Sequence, residues 1–282
     1  MNQISPKVAA NDDAQGPGYV RAVVNYTRPG GPKPAVYLYE TPEPVPSIEE
    51  RNEPHSVVIH SARPLLDTLS VDVQGFALTH GRTAVTNFDD PEERKRVYDA
   101  EVAALVLANT GARKALVFDH TIRRIAGDDK SSNSRAPVHV VHNDYTGKSG
   151  PQRVRDLLPE AEANEALKRR FAIINVWRSI NGPVTDTPLG FIDARSVADE
   201  DWIATDLKYP DRTGEIYRIS FNPAHRWFYV PNLQPDEILL LKTFDSAADR
   251  ARFMPHSAFD DPATKPGAAR RQSIESRVLV FF

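Results

Sequence analysis

A mainly β domain, a sandwich or barrel decorated by helices, is what this 282-residue chain predicts, on three observations. Short runs rich in Val, Ile, Tyr and Phe recur along most of its length, with Pro, Gly, Asn or Asp clusters between them. Helical patterning is confined to two stretches. Strand-like runs occur in both halves with no internal repeat, so residues 19–282 are expected to form one domain. Residues 1–18, polar and punctuated by Gly and Pro, are expected to be a mobile tail.

Taken in order, residues 19–26, 35–39 and 56–60 read as strands, and the Pro- and Glu-rich stretch 42–54 as a surface connection. Residues 91–109 carry the clearest helix. Asp89 and Asp90 suit the N-cap, Pro91 the first turn, and Gly111 the stop. Val97, Ala100, Val102, Ala104, Leu105 and Leu107 give it an apolar side. A strand over 114–119 follows, flanked by Arg123 and Arg124, and residues 127–135 read as a solvated loop. In the second half, residues 138–142, 171–177, 215–221, 226–230, 238–244 and 273–282 read as strands, with one helix near 152–170.

Composition narrows the function. Hydrophobic residues make up 40% and charged residues 26%, which is ordinary for a globular domain and excludes disordered and fibrous classes. A net charge of −3 gives no ground to expect nucleic acid or an anionic membrane as partner. No run approaches the ~18 apolar residues of a membrane-spanning helix, and the polar start has no secretory pattern. The absence of cysteine excludes disulfides, thiolate metal sites and thiol nucleophiles. A cytoplasmic protein is expected, with a small-molecule ligand and, from base rates, a homodimeric assembly.

Familiar catalytic motifs are missing: there is no G-x-G-x-x-G, G-x-S-x-G or H-E-x-x-H. Gly147-Lys148-Ser149 looks like the end of a phosphate loop, but His142 stands where that loop needs a glycine. His142 instead begins His142-Asn143-Asp144 at a strand end. Residues two apart on a strand face one side, so His142 and Asp144 can grip one metal ion. A carboxylate and two imidazoles form the facial triad that leaves positions open on iron(II). Two later histidines compete for the third place, His225 and His256. His256 is favoured because a loop and an Arg-bearing strand follow it, whereas another strand pair follows His225. On that last strand Arg271 and Ser273 share a face and suit one carboxylate of a dicarboxylate co-substrate. Arg277 lies on the same face and competes for that role. A structural reading stands beside this one, in which Asp144 caps a turn, Arg270 and Arg271 cover a surface loop, and Glu275 pairs with Arg277.

From about Tyr19 onward the chain resembles the non-haem iron, 2-oxoglutarate-dependent oxygenases of fungal and bacterial secondary metabolism. The resemblance rests on ordered segments: Val57-Val58-Ile59-His60-Ser61-Ala62-Arg63, Val117-Phe118-Asp119-His120-Thr121, His142-Asn143-Asp144-Tyr145-Thr146 and Asn175-Val176-Trp177-Arg178. Trp227-Phe228-Tyr229, His256-Ser257-Ala258-Phe259 and Ser273-Ile274-Glu275-Ser276-Arg277 complete it. It implies a double-stranded β-helix, a cupin-like jelly-roll barrel, with Fe(II) on His142, Asp144 and His256 and 2-oxoglutarate as co-substrate. It also implies Arg271, with Ser273 or Arg277, on the co-substrate's far carboxylate, and hydroxylation or desaturation of an unactivated C–H bond. Tyr145, Asn175, Trp177, Arg178, His225, Trp227 and Tyr229 are the candidate substrate-binding residues. Ser179-Ile180 departs from the family's Pro-Ile after Trp-Arg, and Phe228 separates Trp227 from Tyr229; both bear on the substrate more than on the chemistry. The alternative is a non-catalytic or co-substrate-independent partner subunit on the same barrel.

Overall fold

Fifteen strands carry the fold of the computed structural model, which describes residues 18–41, 45, 47–124 and 134–282. The expected tail, all but its last residue, and most of the expected loop at 127–135 lie outside the described residues. The first strands are β1 (Tyr19–Thr27), β2 (Ala35–Tyr37), β3 (Asn52–Ser61), β4 (Phe76–His80), β5 (Lys114–Arg124) and β6 (Ser134–Arg135). Next come β7 (His142–Asn143), β8 (Phe171–Ser179), β9 (Leu189–Ile192), β10 (Trp202–Lys208) and β11 (Thr213–Ile219). The last four are β12 (Trp227–Tyr229), β13 (Glu237–Asp245), β14 (His256–Ala258) and β15 (Gln272–Phe281).

They form two sheets. The larger has the order β1-β3-β12-β9-β14-β7-β11-β10-β2, and the smaller β4-β13-β8-β15-β5-β6. Apolar side chains from both, among them Phe76, Trp177, Leu239 and Leu241 from the small sheet and Leu189 and Phe191 from the large, make one buried cluster between them. The large sheet also curls back on itself: a parallel bridge joins Asn25 on β1 to Val140, just before β7. Tyr26, Ile59, Val141, Ile192, Trp227 and Phe259 form a second core on that side. Two sheets curled around one interior in crossover order are the jelly-roll expected of the chain.

The long helix lies across the outer face of the small sheet. It begins as expected, with Asp90 accepting from the Glu92 N–H at 2.9 Å and α1 at Pro91–Glu93. A π-turn at Arg94–Tyr98 follows, then α2 at Asp99–Thr110, which ends on Gly111 at φ 70°. Tyr98, Val102 and Val106 pack on Val176, Leu240, Ile274 and Val278. The π-turn shifts the apolar face from the one a regular helix would present, so Tyr98 and Val106 are buried in place of Ala100 and Ala104. The second expected helix is two, α3 (Ser149–Leu157) and α4 (Glu160–Ala166), because Pro159 cannot continue a helix and holds Leu158 extended.

Lys242 and Asp245 pair structurally. Lys242 donates to Asp245 at 2.8 Å and also to Asp72, while Arg170 reaches the same Asp245 oxygen at 2.7 Å. Lys242 and Asp245 are buried, so removing one charge strands the others. Lys242→Met should therefore cost about 2–4 kcal/mol of stability. Urea unfolding would check this, and a midpoint within error of the parent would refute it.

Candidate metal centre and co-substrate cleft

Cross-strand register builds the centre. His142 on β7 pairs directly with His256 on β14, which pairs in turn with Phe191 on β9. Directly opposed residues share a face, so the two imidazoles project into the interior together. Their ring centroids are 4.5 Å apart. Asp144 follows just past β7, with one carboxylate oxygen 3.6 Å from His142 Nε2. The candidate donor atoms of His142, Asp144 and His256 all lie within 4.8 Å of one another.

Outer bonds orient each of them. His142 Nδ1 donates to the Val140 carbonyl at 2.8 Å, and His256 Nδ1 to that of Met254 at 3.3 Å. Both Nε2 atoms keep their lone pairs for the space between them. Asp144 Oδ2 accepts from Asn175 Nδ2 at 2.7 Å and Arg277 Nε at 3.0 Å. Asn143, between the two ligand candidates, donates to the Tyr145 and Thr243 carbonyls and accepts from the Met254 N–H. It ties the backbone after His142 and the backbone before His256 to β13, a role nothing in its sequence position announces.

Electrostatics favour a cation. Burial, helped by the neighbouring His256 and opposed by Asp144, pushes the His142 pKa down to about 3, so its imidazole is neutral. Burial alone would raise the Asp144 carboxyl. Arg277, with His256 and His142, overcomes that and holds it far below the usual range. One ionised carboxylate and two imidazoles on adjacent strands are a donor set suited to Fe(II).

The smaller sheet supplies the facing wall. On β15 the residues Ser273, Glu275 and Arg277 alternate with Ile274 and Ser276, and the first three face inward. Arg277 has four of its five N–H donors committed: besides Asp144 it donates to Glu275 at 2.6 Å, to Thr121 at 3.2 Å and to Asp119. Arg271 does not. It is buried, donates to the Thr187 carbonyl, and leaves Nε without a partner. Ser273 Oγ is likewise buried and unpaired. Burial, then the charge of Arg123, draws the Arg271 pKa down to about 9. Thr187 itself sits at φ 46°, a strained setting for a β-branched residue, which aims its carbonyl at Arg271.

Arg271, Arg123, Trp177, Glu275, Leu189, Val138 and Ala258 line one cleft together with His142 and His256. An orphaned guanidinium donor in a cationic wall of the cleft that holds the histidines, with the unpaired Ser273 hydroxyl two residues on, fits one carboxylate of a dicarboxylate such as 2-oxoglutarate.

The candidate substrate residues divide. Trp177 lines the cleft, and Asn175 holds Asp144. Tyr145 packs behind the centre with Phe171 and Phe244, its phenol pushed up to about 12 by burial. Arg178 is a correction: next to Trp177 on β8, it points to the opposite face and donates to the Gly81 and Pro235 carbonyls at 2.9 and 2.6 Å. Trp227 and Tyr229 are corrected likewise. They face the second core, while Phe228 between them joins the inter-sheet cluster. His225 sits in that second core too, bonded to Tyr26 and Asp201. Arg123 was missed, because a lone arginine beyond a short expected strand gives no signal. Its register partner Ser273 shows that it faces inward.

A jelly-roll with a His-x-Asp…His cluster at its interior and a cationic cleft beside it defines a class, the non-haem metal oxygenases. Comparison with known proteins gives the family. Residues 24–281 match a protein family described as an oxidoreductase/YMDC permease-like domain. The chain is 34% identical over 250 residues to hydroxylase/desaturase efuI of Hormonema carpetanum, covering 80% of this chain and 83% of that protein. It is 30% identical over 268 residues to the Fe(II)/2-oxoglutarate-dependent dioxygenase nvfI of Aspergillus novofumigatus, covering 89% and 92%. The structure of the iron and α-ketoglutarate-dependent endoperoxidase NvfI superposes with a TM-score of 0.83 at 26% identity, over 94% of this chain and 99% of that one. The chain belongs to the Fe(II)/2-oxoglutarate-dependent dioxygenase family that includes the fungal hydroxylase/desaturases. It is an enzyme of that type, with Fe(II) and 2-oxoglutarate as cofactor and co-substrate.

Proposed function

We propose that this enzyme hydroxylates or desaturates an unactivated C–H position of a small secondary metabolite, releasing succinate and CO2. Bound iron(II) and 2-oxoglutarate supply, with oxygen, an oxidant strong enough for such a bond. The chain's own residues do the rest. His142 and His256 present Nε2 and Asp144 a carboxylate oxygen to the metal, and Asn175 and Arg277 keep that carboxylate aimed. Arg271 and Ser273 take the co-substrate's far carboxylate, since four of the five N–H donors of Arg277 already hold Asp144, Asp119, Thr121 and Glu275. Trp177, Leu189 and Ala258 wall the cleft with apolar surface, excluding water around the site. The observation that carries the reading is the orphaned Arg271 Nε in the cleft shared with His142 and His256, with the unpaired Ser273 Oγ two residues further on.

The reading includes cytoplasmic residence, homodimeric assembly and no nucleic-acid or membrane partner. Among the described residues no helix is long and apolar enough to cross a membrane. The test is an anaerobic visible spectrum. Iron(II) plus 2-oxoglutarate should give the weak charge-transfer band of a keto acid chelated on a facial triad. His256→Ala should lose the band and His225→Ala keep it. Metal binding without a band would remove the co-substrate assignment. Size-exclusion chromatography of the same sample should show a dimer, and a monomer peak would end that part of the proposal.

A further inference from the structure

Four buried side chains of the second core form one hydrogen-bonded line that the proposed reaction does not use. Trp227 Nε1 lies 2.8 Å from Tyr26 Oη, which lies 3.0 Å from His225 Nδ1. His225 Nε2 lies 3.0 Å from Asp201 Oδ2. Tyr26, Trp227, His225 and Asp201 have almost no exposed side-chain surface.

Proton accounting fixes the direction of every bond. An indole N–H only donates, so Tyr26 Oη accepts from Trp227 and sends its own hydrogen to His225 Nδ1. His225 Nδ1 is therefore bare, and its hydrogen sits on Nε2, donated to Asp201. Asp201 is held in turn by the Ala198 N–H at 2.8 Å and by Asn222 Nδ2 at 3.1 Å. The result is a phenol whose hydrogen points at a neutral imidazole backed by a carboxylate. Burial keeps His225 neutral and, against the Trp227 bond, keeps the Tyr26 phenol protonated well above its ordinary range. Tyr26 cannot lose an electron cheaply in that dry setting unless the proton leaves with it, and an acceptor is already bonded to it.

The strand that carries Tyr26 also runs beside the backbone that carries His142. The Val141 N–H donates to the Asn25 carbonyl at 2.9 Å, so the residue before His142 is bonded to the residue before Tyr26. Backbones joined in this way lie about 5 Å apart. Val141 and Tyr26 share the same buried cluster.

We propose that Tyr26 is a one-electron redox site that protects the metal centre when no C–H bond is presented to it. The oxygen-derived oxidant formed at the iron–keto acid centre takes one electron from Tyr26 and is reduced by one. The Tyr26 O–H bond breaks as its proton passes to His225 Nδ1, leaving a neutral tyrosyl radical beside an imidazolium paired with Asp201. Trp227 keeps its bond to the phenoxyl oxygen throughout. Asp201 is a positioning residue, since it acts through His225. The source of the oxidant rests on the proposed oxygenase function; the redox character of Tyr26 does not.

Two experiments separate these layers. In the first, metal-free protein is photo-oxidised with ruthenium(III) tris-bipyridine and frozen for electron paramagnetic resonance. The chain has nine tyrosines. The other tyrosines must give their proton elsewhere, so the long-lived radical should belong to Tyr26. Tyr26→Phe, which keeps the ring volume, should reduce that signal at least tenfold, and Asp201→Asn should shorten its lifetime. An undiminished signal in Tyr26→Phe overturns the redox site. In the second, iron(II), 2-oxoglutarate and air are supplied without organic substrate, and oxidation of Trp177 is followed by peptide mass spectrometry. It should rise at least threefold in Tyr26→Phe, and an unchanged level overturns the protective coupling. Wild-type protein that forms no succinate would count against the oxygenase reading, while the first experiment still decides for Tyr26.

Discussion

Asp144→Ala is expected to lower iron(II) affinity by more than about 100-fold, because changes to outer partners of metal ligands alone cost 10–100-fold. The size follows from what the carboxylate does. It is the only anionic group among the three candidate ligands, so its removal deletes the whole negative charge of the donor set. It also releases Arg277 Nε, leaving a cation aimed into the site where a second cation has to bind. Asn175→Ala makes the intermediate case. It keeps the charge and loses one orienting bond of 2.7 Å, so an affinity loss of about 10-fold is expected. Anaerobic iron(II) titration checks both. Equal affinities in the parent and Asp144→Ala would move the metal away from this cluster.

Strand parity explains much of what could be read from the amino acids and where reading failed. The long strands β1, β8, β13 and β15 were legible because their strand-like runs span seven or more residues, and period two placed Arg271, Ser273 and Arg277 on one face. Applied to β8 and β12, the same rule would have separated Trp177 from Arg178 and turned Trp227 and Tyr229 away from Phe228. The chemistry of those side chains suggested a pocket, but the backbone alternation decides which of them reach it. Both ligand strands carry little local signal: β7 has two residues and β14 three. Their positions are set by partners far along the chain, such as Asn143 reaching Thr243. Choosing between Arg271 and Arg277 was beyond pattern alone. The two arginines differ only in what already surrounds them, three carboxylates for Arg277 and a single backbone carbonyl for Arg271.

That difference gives Arg271 an unusual pair of expected effects. In the free protein its guanidinium is buried with one donor atom unsatisfied and with Arg123 close enough to lower its pKa. Such a group opposes folding, since Asp186 and Glu275 only partly offset its desolvation and the repulsion from Arg123. Arg271→Met, which fills similar volume without charge, should therefore leave the ligand-free protein as stable as the parent or more so, by about 1–2 kcal/mol. The same change should weaken 2-oxoglutarate binding by about 100-fold or more, because the far carboxylate would be buried without its charged partner. Stability and binding should move in opposite directions, as they do when a residue is kept for its ligand and not for the fold. Arg277→Met should do the reverse: it strands Asp144, Asp119 and Glu275 and lowers both stability and iron affinity. Thermal unfolding without ligand, paired with anaerobic 2-oxoglutarate titration of the iron-loaded protein, reads all four effects. A destabilised Arg271→Met that still binds the co-substrate tightly would make Arg271 a structural residue and return the carboxylate to another donor in the cleft.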